Sequence, residues 1–146
     1  MLETNTQAPN FILLNQDSQE VSLRDFLGQY VLIYFYPQDD TPGCTKEACA
    51  ITEVYNDFEK LGIVVLGISA DSPEKHTKFR AKYNLPFTLL SDSGKKVVEV
   101  YGAKSTLGIK RVSYLIDKTG KIVKVYQKVD PANHALEILN DVKNLG

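Results

Sequence analysis

Two unbroken apolar runs, VLIYFY at residues 31–36 and IVVLGI at 63–68, do most to limit what this chain can fold into. Runs rich in β-branched and aromatic residues, with no polar alternation, belong to strands buried on both faces. Between them apolar residues recur at Cys44, Ala48, Ile51, Tyr55 and Phe58, in steps of four, three, four and three. That spacing predicts an amphipathic helix, with Gly62 as its stop. A strand, a helix and a strand connected at this length form a right-handed crossover with the strands parallel.

The pattern repeats once. Asp71-Ser72-Pro73-Glu74 starts a helix, with proline near its first position and acid in its first turn, and the helix runs to about Tyr83. A short strand is expected at 87–90, and Ser91-Asp92-Ser93 leads a short helix towards Tyr101. The last third differs. Strands at 112–116 and 122–127 flank Asp117-Lys118-Thr119-Gly120, a hairpin turn with glycine where positive φ is needed. Beyond Pro131, Ala135, Leu136, Ile138, Leu139 and Val142 have helical spacing. The expected class is α/β, a mixed central sheet with helices on both faces, in one domain over 1–146. The loop 37–43 then falls at the carboxyl end of a central strand, where open α/β sheets place their sites.

A formal net charge of −1 and scattered Lys and Arg leave no basic face for nucleic acid. No apolar run approaches the roughly 20 residues that span a bilayer. The opening MLETNTQAP has no basic stretch followed by an apolar core, so a cytoplasmic location and no membrane partner are expected. In that reducing setting a pair of cysteines is more often catalytic, redox-sensing or metal-binding than a structural staple.

Both cysteines lie in PQDDTPGCTKEACA, residues 37–50. With Thr41 as N-cap and Pro42 as first helical residue, Cys44 falls in the first helical turn. Free backbone N–H groups and the helix dipole there favour a thiolate, although a small buried core thiol has the same sequence appearance. Cys49 is about 140° around the helix from Cys44, beside Glu53 and Asn56 and off the apolar stripe. On a straight helix the two Cα atoms are about 8.6 Å apart. A disulfide wants about 4.4–6.8 Å, so the pair can join only if the first turns unravel. The spacing is neither the CxxC of dithiol reductases nor a zinc arrangement with His76 or His134, and no metal or cofactor is expected.

The run P-x-x-x-T-x-x-C, present as Pro37, Thr41 and Cys44, resembles the active-site signature of the peroxiredoxins. Together with Cys49, GIKRVSYLID at 108–117 and APNFILLNQD at 8–17, it resembles the bacterioferritin comigratory protein or peroxiredoxin Q subfamily over essentially the whole chain. The resemblance implies a thioredoxin-like fold and a thiol peroxidase acting on hydrogen peroxide and organic hydroperoxides. It implies that Cys44 is the peroxidatic thiolate and becomes a sulfenic acid. Thr41 would bond the peroxide oxygens and the sulfur, Pro37 would shield the pocket, and Arg111 would hold the thiolate and polarise the peroxide. Cys49 would be the resolving thiol, giving an intramolecular Cys44–Cys49 disulfide that thioredoxin or a similar dithiol reduces. Ser113-Tyr114 stands where the family often has Thr-Phe, a change expected to touch packing rather than chemistry.

Read without the resemblance, Arg111 is a solvated side chain, Glu47 a helix-surface residue one turn from Cys44, and His134 a surface or helix-start residue; the resemblance adds that a similar Glu lines the pocket in relatives. Tyr34 and Tyr36 are core or pocket wall. Two other functions use the same thiols: a redox-switched sensor or binding protein, and a disulfide oxidoreductase. Neither needs Thr41 and Pro37 poised over the thiol.

Overall fold

The computed structural model describes residues 1–106 and 108–145. The two apolar runs become the centre of a seven-stranded sheet. In chain order its strands are β1 (Ile12–Asn15), β2 (Glu20–Ser22), β3 (Tyr30–Phe35), β4 (Ile63–Ser69) and β5 (Thr88–Ser91). Two very short strands, β6 (Lys104–Ser105) and β7 (Gly108–Ile109), pair apart from the sheet, which is completed by β8 (Val112–Ile116) and β9 (Ile122–Tyr126). The spatial order is β2-β1-β5-β4-β3-β8-β9. Strands β3, β4 and β5 are parallel, and every other neighbouring pair is antiparallel. This is the expected mixed sheet, with β3 in its interior.

Alternation along β3 divides the core. Leu32 and Tyr34 point to one face, and so does Tyr36 beyond the strand end; Val31, Ile33 and Phe35 point to the other. The first face is covered by α1 (Pro42–Glu53), α2 (Tyr55–Lys60), α3 (Pro73–Tyr83) and α5 (His134–Leu145), which supply Ile51, Phe58, Phe79 and Ile138. The second is covered by α4 (Lys96–Val100), a 3-10 turn at Leu23–Phe26 and the N-terminal segment. Helices do lie on both faces, but the second carries only short ones.

Two departures from the expected elements have local causes. The helix expected through 44–58 is interrupted at Val54 (φ −114°, ψ 17°). Just before it, the Thr52 hydroxyl donates to the Ala48 carbonyl at 2.8 Å, and the Val54 N–H turns back to Ile51 at 3.2 Å in 3-10 fashion. Side-chain competition of this kind bends helices. The β1–β2 hairpin was not legible from apolar alternation in such short strands. Its turn is built by the Asn15 side chain, which accepts from the N–H groups of Asp17 and Gln19 at 2.9 and 3.0 Å. The cluster NQDSQ was the available signal.

Candidate active site

Strand β3 ends at Phe35, and the five residues 37–41 carry the chain to α1. Thr41 is the N-cap residue in extended conformation, and Pro42 opens the helix. The Thr41 hydroxyl does not cap the helix; it donates to the Gln38 carbonyl at 2.9 Å. The first-turn N–H groups are therefore not taken up by this side chain and face the place where an anion would sit. Cys44 lies in that turn with 1% of its surface exposed. Both thiols are free.

Arg111, next to the start of β8, comes to the same turn from the far side of the fold. Its guanidinium lies so close to Gly43 that a Cβ there would stand 2.5 Å from Nη2. Glycine at 43 is what lets the cation rest on the backbone next to Cys44. The guanidinium also donates to Glu47 Oε1 at 3.2 Å. Glu47 corrects the helix-surface expectation, because it is 1% exposed. Burial pushes its carboxyl up to about 7 against the opposing pull of Arg111. Among the described residues its Oε2 has no hydrogen-bond partner, and neither has the Tyr34 hydroxyl, also buried. Burial, with the nearby Glu47 carboxyl, holds the Tyr34 phenol well above its ordinary range, so it stays protonated. A buried carboxyl group beside a cation, raised towards neutrality, is a group that can take up and release a proton.

Glu47 gives this site a pH signature in stability. Between its ordinary 4.5 and the folded value of about 7, the folded chain keeps a proton that the unfolded chain has lost. Stability must therefore fall as pH rises through that window and level off above it. Glu47→Gln cannot lose a proton. Its stability relative to the wild type is expected to rise by roughly 3 kcal/mol from pH 4.5 to pH 8, measured by urea unfolding. A constant difference would mean that Glu47 ionises normally in the fold.

Cys49 is half-buried, on the side of α1 that the spacing indicated. Burial first, and Glu53 second, push its thiol up. While the helix is intact Cys49 is thus kept protonated and is a poor nucleophile. Pro37 is exposed and lines an open hollow of about 440 Å³ with Gln38, Asp71, Lys75, Lys95 and Ile109. His134 corrects a second expectation: it starts α5 but is buried, with Nε2 2.8 Å from the Ser113 hydroxyl and Nδ1 3.0 Å from Glu137. Ser113, the departure from Thr-Phe, therefore ties β8 to α5 and is a packing residue as expected. The five expected site residues divide accordingly. Cys44, Thr41 and Arg111 converge on the first turn of α1, Pro37 is exposed on the loop that precedes it, and Cys49 lies further along the helix.

A buried thiol at a helix start, at the carboxyl end of a central strand and beside a guanidinium, defines a thiol-based redox enzyme of thioredoxin-like architecture. Residues 4–125 match the AhpC/TSA family. The chain is similar to the putative peroxiredoxin bcp of Coxiella burnetii, 46% identical over 94% of this chain and 97% of that protein. It is also similar to peroxiredoxin Bcp of Escherichia coli K12, 45% identical over 97% and 96%. The solved bacterioferritin comigratory protein of Xanthomonas campestris superposes with a TM-score of 0.92 at 30% identity, covering 98% of this chain and 99% of that one. The chain belongs to the AhpC/TSA family and, within it, to the peroxiredoxins of the Bcp and peroxiredoxin Q type, which are thiol-dependent peroxidases.

Proposed function

We propose that Cys44 is the peroxidatic thiol and Cys49 the resolving thiol of a one-chain catalytic cycle. The carrying observation is the buried Cys44 in the first turn of α1, with the Arg111 guanidinium packed on Gly43 beside it. The Cys44 thiolate attacks the distal oxygen of a hydroperoxide. The S–O bond forms as the O–O bond breaks, and the leaving oxygen takes a proton to become an alcohol or water. Arg111 and the first-turn N–H groups stabilise the negative charge that moves onto the oxygens. Thr41 and Pro37 confine the peroxide. Glu47, poised near neutrality, is the residue placed to hold and release the proton. The Cys44 sulfenic acid then condenses with the Cys49 thiol, releasing water and forming the disulfide. A dithiol protein of the thioredoxin kind reduces that disulfide by exchange.

The Xanthomonas protein is described for alkyl peroxide reduction. That likeness supports organic hydroperoxides as well as hydrogen peroxide as substrates here. The cycle needs a reducing compartment, and the cytoplasm supplies one. Residues 1–146 are read as one catalytic unit, since β1, α3 and β8 all hold parts of the same end of the sheet. Among the described residues no helix is long and apolar enough to cross a membrane.

The assignment is tested by treating the reduced protein with one equivalent of peroxide and mapping the products by mass spectrometry. A Cys44–Cys49 linkage is expected. Unmodified thiols, or linkage only between chains, would sink it. Arg111 is tested through its neighbour. Gly43→Ala forces the guanidinium off the helix turn at its flexible end, so the fold should survive. The rate of Cys44 oxidation is expected to drop about tenfold, as for loss of one charge-assisted contact, at nearly unchanged melting temperature. An unchanged rate would remove Arg111 from the mechanism.

A further inference from the structure

The loop that carries Pro37 and Thr41 also carries two adjacent aspartates, and both reach across to α3. The Asp39 carboxylate, in a residue only 9% exposed, accepts from the Tyr36 hydroxyl at Oδ1 and lies 2.6 Å from His76 Nδ1 at Oδ2. Its backbone N–H donates to Asp71 Oδ2 at 2.8 Å, and the Ser69 hydroxyl fixes that same oxygen at 2.7 Å. His76 is fully buried, with Nε2 3.0 Å from the Leu90 carbonyl. The two ring nitrogens thus face oxygen atoms on opposite sides, the Asp39 carboxyl at Nδ1 and the Leu90 carbonyl at Nε2. Asp40, held at φ +57°, accepts from Lys82 Nζ and the Tyr83 hydroxyl, each at 2.8 Å. That second pair is exposed and contributes little. The buried one is charge-assisted, and losing one partner strands the other without water.

None of these groups touches the reacting sulfur or oxygens, yet they fix the chain two residues before the Thr41 cap. The two halves of the catalytic cycle need opposite states of that region. Peroxide attack needs the loop closed and α1 intact, with Cys44 in its pocket. Disulfide closure needs the first turns open, because an intact helix holds the two Cα atoms about 8.6 Å apart. A contact made only in the closed state favours the first step and opposes the second.

We propose that Asp39 and His76 are positioning residues that hold the loop 37–41 closed for the peroxide step and restrain the unwinding that brings Cys49 to Cys44. The proposal rests on the Cys44–Cys49 cycle. It is tested with Asp39→Asn, which keeps the shape and the backbone bond to Asp71, and with His76→Asn. Cys44 oxidation is timed by rapid quench in a Cys49→Ser background, and disulfide closure in the chain that retains Cys49. The variants are expected to slow oxidation about tenfold and to speed closure several-fold, the scale of one buried charge-assisted bond. Overoxidation should fall in parallel. There a second hydroperoxide converts the sulfenic to the sulfinic acid and leaves as alcohol or water, in competition with closure.

A merely structural role gives lower stability with the two rates falling together or not moving, and either result overturns the proposal. If His76→Asn does not fold, Asp39→Asn decides by the same two rates. A wild-type protein whose Cys44 never reacts with peroxide refutes the proposed cycle. A reactive wild type with an unchanged ratio of rates in the variants refutes the positioning role alone.

Discussion

Replacing Cys44 with serine is expected to reduce peroxide-dependent NADPH oxidation, in an assay coupled through thioredoxin and its reductase, to the rate seen without the protein. In the proposed cycle the nucleophile is the sulfur of Cys44, and a serine hydroxyl at the same position is a far weaker nucleophile. The remaining groups cannot compensate. In the proposed mechanism Arg111, the first-turn N–H groups and Thr41 stabilise charge that appears only when sulfur attacks oxygen. The expected loss is roughly 10⁴-fold or more, as for removal of a covalent nucleophile elsewhere. The fold should hardly notice. The substitution exchanges sulfur for oxygen in a first helical turn beside Arg111, so circular dichroism should match the wild type. NADPH consumption above the no-protein control in the folded variant would mean that Cys44 is not the reacting thiol.

Cys49→Ser is expected to fail in a different way. Its Cys44 environment is intact, so it should consume about one equivalent of peroxide per chain and then stop turning over with thioredoxin. The sulfenic acid has no partner on the chain, and with excess peroxide it should proceed to the sulfinic acid, seen as a gain of two oxygens at Cys44. In the proposed cycle the position of Cys49 keeps its thiol out of the peroxide step. In the intact helix its thiol is held up by burial and by Glu53, and it does not compete for peroxide. Opening the helix removes both influences and delivers a reactive thiol where the sulfenic acid emerges. Sustained normal turnover in Cys49→Ser would show that another thiol resolves Cys44.

These two expectations draw on what could be read directly from the chain. VLIYFY and IVVLGI announced the parallel centre of the sheet, and the loop between β3 and α1 announced itself by its two prolines and its N-cap threonine. What could not be read was the company that distant residues keep. Read from local pattern, Glu47 looked like helix surface because nothing nearby in sequence indicates that Arg111 reaches that side of α1. Arg111 was singled out by the family resemblance alone; no local pattern places its guanidinium against Gly43, and 64 residues separate it from Glu47. His76 entered the sequence reading only as no part of a zinc arrangement, and its partner Asp39 lies 37 residues earlier on another element. His134 was placed at a helix start correctly, but its burial depended on Ser113 of β8.

Sequence alone determined the order and type of the central elements and the placing of two thiols on one helix at a spacing that forbids an easy bond. These follow from periodicity and covalent geometry, which act over a few residues. Tertiary structure decided which of those residues are charged, dry or held. Desolvation and Coulomb interactions depend on distances between segments that only the folded chain brings together. The raised Glu47 carboxyl, the protonated Cys49 and the buried Asp39–His76 pair are consequences of that closure, and with them the balance between a helix that must stay intact and one that must open.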